Sequence, residues 1–193
     1  MEFINFYFVP GIVLGCIYAL GAIGVSLLFG ILRFAHFAHG DIVTMGAYIA
    51  LFFTASFGLS GILALPFAMI AVALFCVGID RLFYRPLRKS PTVVIVIASF
   101  GVALMVRSLV QFIWGVEIES YSEGTFSRPL IFFKSLLIAE KHIGIVALTL
   151  TLMLSTHIFL AYSRMGKSMR AVSDNPPLAQ ITGINTERVI MWT

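Results

Sequence analysis

Long apolar runs alternate with short polar punctuation along almost the whole chain. The run lengths match a bilayer, where a crossing helix needs about 20 mostly apolar residues. Spans are predicted over about residues 8–32, 42–57, 62–79, 92–114 and 143–161, with a sixth starting near 187. Arg33 ends the first run and the turn-prone Gly58 to Gly61 closes the second. Pro66 interrupts the third, which a helix in lipid tolerates better than one in water. In the first span Gly11, Gly15, Ala19, Ala22, Ser26 and Gly30 recur at three- and four-residue spacing, giving one stripe of small residues. Such a stripe lets helices approach closely, and it predicts packing within the bundle.

The polar breaks carry an orientation. Residues 80–90 hold Arg81, Arg85, Arg88 and Lys89, and residues 163–188 hold Arg164, Lys167, Arg170 and Arg188. Two spans separate these loops, so both can face the cytoplasm, as an excess of Lys and Arg requires. The segment from Gly115 to His142 sets Glu117, Glu119, Glu123 and Glu140 against Arg128, Lys134 and Lys141, and is expected outside. By parity the N-terminus is outside too. Glu2 stands where a signal peptide would be basic, so the first run is expected to be a retained span.

Composition agrees with the pattern. The chain is 60% hydrophobic and 11% charged, against about 25% charged for a soluble domain. The expected class is an all-α polytopic transmembrane bundle held in membrane lipid. A net charge of +4 comes from loops rather than a basic face, which excludes nucleic acid as a partner. Cys16 and Cys76 lie within apolar runs and read as small hydrophobes. No phosphate-cradling loop, metalloprotease helix or nucleophile elbow is present, so the chain is not read as an enzyme and no cofactor is expected. If it pumps, the fuel is burned on another subunit.

Two stretches carry polar chemistry. The first, Arg33 to Tyr48 ("RFAHFAHGDIVTMGAY"), places His36, His39 and Asp41 at the membrane edge or within it, with Gly40 and Gly46 permitting a break or a close approach. Three readings stand side by side: a metal site on His36, His39 and Asp41, a proton relay through the same groups, and an internally hydrogen-bonded break in the bundle. Residue chemistry favours the break, and no metal is assigned. Arg107, about 10 Å from the end of the fourth span at helical rise, is expected to snorkel to the surface. The sharper alternative places it on a solute path near the external mouth.

The second stretch is residues 163–188, "SRMGKSMRAVSDNPPLAQITGINTER". Met165 to Val172 is a predicted short helix, interrupted by Ser173 and Asp174. Asn175 can cap a second helix over Pro177 to Thr182, with Pro176 at its favoured first position. Gly183 ends it and Asn185 can cap the next helix. Leu178 and Ile181 are three apart and share a face, suited to a groove in a partner. Folding back on the bundle or resting at the lipid surface is the alternative.

Together, "GILRFAHFAHGDIVTMGAY" and "YSRMGKSMRAVSDNPPLAQITGINTERVI" resemble the branched-chain amino-acid ABC transporter permeases of the LivH type. The first is similar to the family's Asn-Phe-Ala-His-Gly-acid signature and its following Gly-Ala-Tyr. The second is similar to the family's cytoplasmic loop, and the resemblance covers essentially the whole chain. It implies an ABC importer permease fold, moving solute by alternating access. It also implies a second homologous permease, cytoplasmic ATP-binding subunits and a periplasmic substrate-binding protein as partners, in a bacterial inner membrane.

Carried over by position, Gly166, Lys167, Arg170, Ala171, Asp174, Gly183, Ile184 and Arg188 would belong to the ATPase coupling surface. His36, Phe37, Ala38, His39, Gly40, Asp41, Gly46, Ala47 and Tyr48 would belong to the translocation core. His36 departs from the family's usual Asn. Family members also continue through further spans, so the chain is expected to be a fragment or a truncated product at its C-terminal side. The rival reading, on the charged groups alone, is an ion-coupled secondary transporter or channel.

Overall fold

The computed structural model describes residues 4–117, 119, 129–132 and 136–193. A π-helical turn, Ile4–Phe8, leads into α1 (Val9–Leu32), followed by α2 (His39–Phe57) and α3 (Gly61–Ile79). A second π-helical turn, Asp80–Tyr84, joins α3 to the single turn α4 (Arg85–Leu87), and α5 is Thr92–Trp114. After a hairpin of β1 (Pro129–Phe132) and β2 (Leu136–Ala139) come α6 (Glu140–Tyr162), α7 (Arg164–Asp174), α8 (Pro176–Ile181) and α9 (Thr186–Trp192). Among the described residues five helical stretches are long and apolar enough to cross a membrane: Phe6–Leu32, His39–Phe57, Gly61–Leu87, Thr92–Trp114 and His142–Tyr162.

Two compact units divide the chain. One is built on Leu32–Glu123. Within it α2 and α3 form a helical hairpin turned at Gly58, whose φ of 63° is a left-handed conformation that glycine adopts without strain. The two helices approach closely enough at Gly46 that a Cβ there would stand 3.4 Å from the Val72 methyl. Phe53 packs on Phe57 and on Phe67 of α3. The core joins Phe34, Ala38 and Met45 to Ile79 and Tyr84, and to Val102, Ala103, Val106 and Val110 along one face of α5.

The third helical stretch runs eight residues past the predicted end at 79, taking Asp80–Leu87 out of the loop expected there. Polar residues could continue the helix because Arg88 folds back on Asp80, donating from Nη2 to both carboxylate oxygens at 2.6 and 2.7 Å. Pro91 then sets the start of α5.

The other unit holds Met1–Ile31 and Gly124–Thr193. Its core is small: Ile31, Met169, Val172, Ala179 and Val189. The hairpin pairs antiparallel from Pro129↔Ala139 to Phe132↔Leu136, an element the apolar pattern did not announce. Glu123, Arg128 and Lys134, part of the expected external segment, lie outside the described residues. Within this unit nothing stands within 4 Å of a Cβ built at Gly11, Gly15 or Gly30 of the α1 stripe.

Candidate functional site

Both polar stretches singled out in the sequence become ordered structure. In the first, α1 stops where Arg33 takes a left-handed backbone, φ 56°. That conformation costs a residue with a Cβ about 1–2 kcal/mol, so it marks a forced break. A short irregular segment follows, and α2 begins at His39, three residues before the predicted start. Asp41 explains the earlier start, because a carboxylate in a first turn meets the positive end of the helix dipole. His39, Gly40 and Asp41 are therefore helical rather than loop.

The break lies well along α5, beside its length. Phe37 donates its backbone N–H to Ser99 Oγ at 3.3 Å, and its ring stacks on Phe100 at 4.2 Å. Ser99, fully buried, passes its own hydroxyl to the Val96 carbonyl at 2.7 Å. Those residues stand about 10 Å along α5 from Thr92 at 1.5 Å per residue. Higher on the same pair of helices Asp41 meets Arg107, and Tyr48 meets the Trp114 ring at 5.5 Å. So α2 runs parallel to α5 and starts alongside its middle. Irregular backbone at such depth survives only inside protein or against a wet cavity. Ala38 is wholly buried, Phe34 nearly so, and the rings of Phe34, His36 and Tyr84 cluster in a triangle, His36 standing 5.8 and 5.1 Å from the other two and those 6.1 Å apart. His36 Nδ1 and the Tyr84 hydroxyl are both buried without a hydrogen-bond partner.

Arg107 has a partner on α2. It reaches Asp41, with Nε at 3.0 Å from Oδ1 and Nη2 at 3.5 Å from Oδ2. Side chains on a helix lean toward its N-terminus, which brings the guanidinium down toward the middle of α5. The pair borders a cleft of about 320 Å³ that Thr44, Tyr48, Gln111 and Gly115 also line. Of the other residues assigned to this core, Gly46 faces α3, while Gly40 and Ala47 are exposed.

The second stretch folds as two helices capped end to end. Ser163 accepts from the Gly166 N–H at 2.8 Å, Asn175 from Leu178 at 3.1 Å and Asn185 from Arg188 at 3.1 Å. Gly183, with φ 86°, makes the left-handed turn between α8 and α9. The first helix runs through Ser173 and Asp174, which were expected to interrupt it. The cap at Ser163 was not foreseen. Its signal was a serine just ahead of the first helical residue, hidden by the apolar span before it.

The eight residues that the resemblance assigns to coupling separate by burial. Gly166 is buried against the end of α6, and Ala171 and Ile184 are half-buried against the small core. Arg170 donates to the Ala161 carbonyl at 3.1 Å, covering the end of α6. Lys167, Asp174, Gly183 and Arg188 are exposed. Leu178 and Ile181 stand 58% and 83% exposed on α8, while Ala179 beside them is buried. The helix thus anchors one face and presents an apolar pair on the other.

A family model described as branched-chain amino acid transport system / permease component matches residues 7–193. The high-affinity branched-chain amino acid transport system permease protein LivH of Salmonella typhimurium is 33% identical over 95% of this chain and 63% of its own length. LivH of Escherichia coli is 32% identical over the same shares, and BraD of Pseudomonas aeruginosa 27% over 96% and 64%. The chain therefore spans less than two thirds of the length of these relatives. No solved structure matches. With five helices among its described residues long and apolar enough to cross a membrane, and a match over nearly its whole length, this multi-pass membrane protein belongs to the family of branched-chain amino acid transport system permease components.

Proposed function

We propose that the chain is a membrane-spanning part of the permease in an ATP-driven importer for branched-chain or related amino acids, seated in the bacterial cytoplasmic membrane. The observation that carries the coupling role is α8: capped by Asn175, held by buried Ala179, and exposing Leu178 and Ile181. An apolar pair on a fixed short helix suits a groove in a cytoplasmic ATP-binding subunit. Lys167 and Arg188, exposed on the neighbouring helices, add positive charge around it. Closure of the ATP-binding subunits would push α7 and α8 as one lever and reorient the spans. A second homologous permease would complete the path, and a periplasmic binding protein would deliver the solute.

The test is Leu178→Asp with Ile181→Asp in the complete transporter. Membrane insertion and melting temperature should stay unchanged, while co-purification of the ATP-binding subunit and ATP-driven leucine uptake are lost. Normal co-purification and uptake in this variant would sink the docking role. The Asp41–Arg107 pair gives some support to an ion-coupled carrier, since it sets charge beside the middle of α5. Uptake that survives ATP depletion and collapses with the proton gradient would favour that reading.

A further inference from the structure

Two Asp–Arg pairs among the described residues have opposite character. Asp80 and Arg88 form a tight fork, 2.6 and 2.7 Å, with side chains only 21% and 17% exposed. That is what a purely structural pair looks like. Asp41 and Arg107 meet at 3.0 and 3.5 Å, and the Arg107 side chain stays 62% exposed although it sits within a spanning helix. Charge at that position normally faces a protein interior or a water-filled path. Here it borders a cleft of about 320 Å³, near the lower end of the range for small-molecule sites, roughly 300–1,000 Å³.

We propose that the Asp41–Arg107 pair is a two-point site for a zwitterionic solute in transit. A guanidinium carries five N–H donors, and Asp41 engages those on Nε and Nη2, leaving donors for a second carboxylate. The Asp41 carboxylate keeps acceptor lone pairs for an ammonium group. An α-amino acid brings both groups on one carbon, so it closes a ring of four alternating charges without breaking the resident pair. A solute with only one charge leaves a like charge facing it. Thr44 and Gln111 supply neutral polar contacts, and Val110 and Val116 an apolar wall for the side chain. The proposal rests on the importer reading for its choice of solute, and it adds where in the chain that solute is held and which charge pattern is selected.

The experiment places Thr44→Cys in the assembled transporter in proteoliposomes and reads thiol labelling at position 44 by mass spectrometry. Leucine should slow labelling about tenfold once it exceeds its dissociation constant by that factor. Leucinamide, which lacks the carboxylate, and 4-methylpentanoate, which lacks the ammonium, should not protect. Arg107→Gln and Asp41→Asn should each remove protection by leucine, each variant being compared with its own labelling rate without solute. Equal protection by all three solutes, no protection by any, or protection that persists in Arg107→Gln overturns the proposal. The comparison of solutes needs neither charge variant, so misfolding of those variants cannot rescue it. Leucine uptake in the same vesicles separates the two readings. ATP-driven uptake without protection removes the site and leaves the importer, whereas uptake indifferent to ATP removes the importer.

Discussion

Ser173 on α7 donates its hydroxyl to the carbonyl of Gly30 on α1 at 2.7 Å, across 143 residues of sequence. Gly30 belongs to the last turn of α1, where carbonyls have no partner within the helix. The bond therefore caps α1 from the side, just before Arg33 breaks the chain. Ile31, next along, is buried with Met169 and Val172 of α7. A push on α7 would then be felt at the end of α1.

Ser173→Ala should cost about 1 kcal/mol, the net value of one such hydrogen bond. Hydrogen exchange should show it as faster exchange in the last turn of α1 and along α7, with α2 and α3 unchanged. Equal protection in both proteins would mean that the bond does not hold α1.

Gly166 is needed for space. A Cβ there would lie 2.5 Å from the Phe159 carbonyl oxygen and 2.6 Å from the Leu160 Cα, both backbone atoms of α6 that cannot swing aside. Overpacking of this kind costs typically 1–3 kcal/mol. Gly166→Ala should lower the melting temperature and expose α7 to protease, whereas Lys167→Ala, exposed one residue on, should do neither. A Gly166→Ala protein with normal stability and impaired coupling would mean that the position acts through a partner rather than through α6.

These contacts show what the sequence could and could not tell. Spans were legible because lipid demands long apolar runs, and the capped stretch because Asn175, Gly183 and Asn185 each act within three residues of their own position. The partner of Arg107 was not legible. Snorkelling was the local expectation, and only the parallel placement of α2 beside α5 brings Asp41, 66 residues away, within reach. The extension of α3 to Leu87 escaped for a similar reason: a dense run of charge reads as loop until Arg88 is seen folding onto Asp80. Gly166 looked like a motif residue, and its crowding against α6 is a fact of packing alone.

Asp80, Tyr84 and Arg88 sit four residues apart along the continuous stretch from α3 to α4, so they share a face. The Asp80–Arg88 fork brings the two charges together, and removing one partner deprives the other, largely desolvated, of this pairing. Breaking a fully buried pair in this way costs about 3–5 kcal/mol. With side chains 21% and 17% exposed, water relieves part of that, and a loss nearer 2 kcal/mol is expected for Asp80→Asn or Arg88→Gln. The double variant should lose clearly less than the sum of the two, with a coupling of about 1 kcal/mol or more. Tyr84→Phe should be neutral or slightly stabilising, because its buried hydroxyl has no hydrogen-bond partner to lose. Thermal unfolding of the four variants in one detergent decides the matter. Strict additivity would mean that Asp80 and Arg88 act separately, and the helical continuation beyond Ile79 would then need another cause.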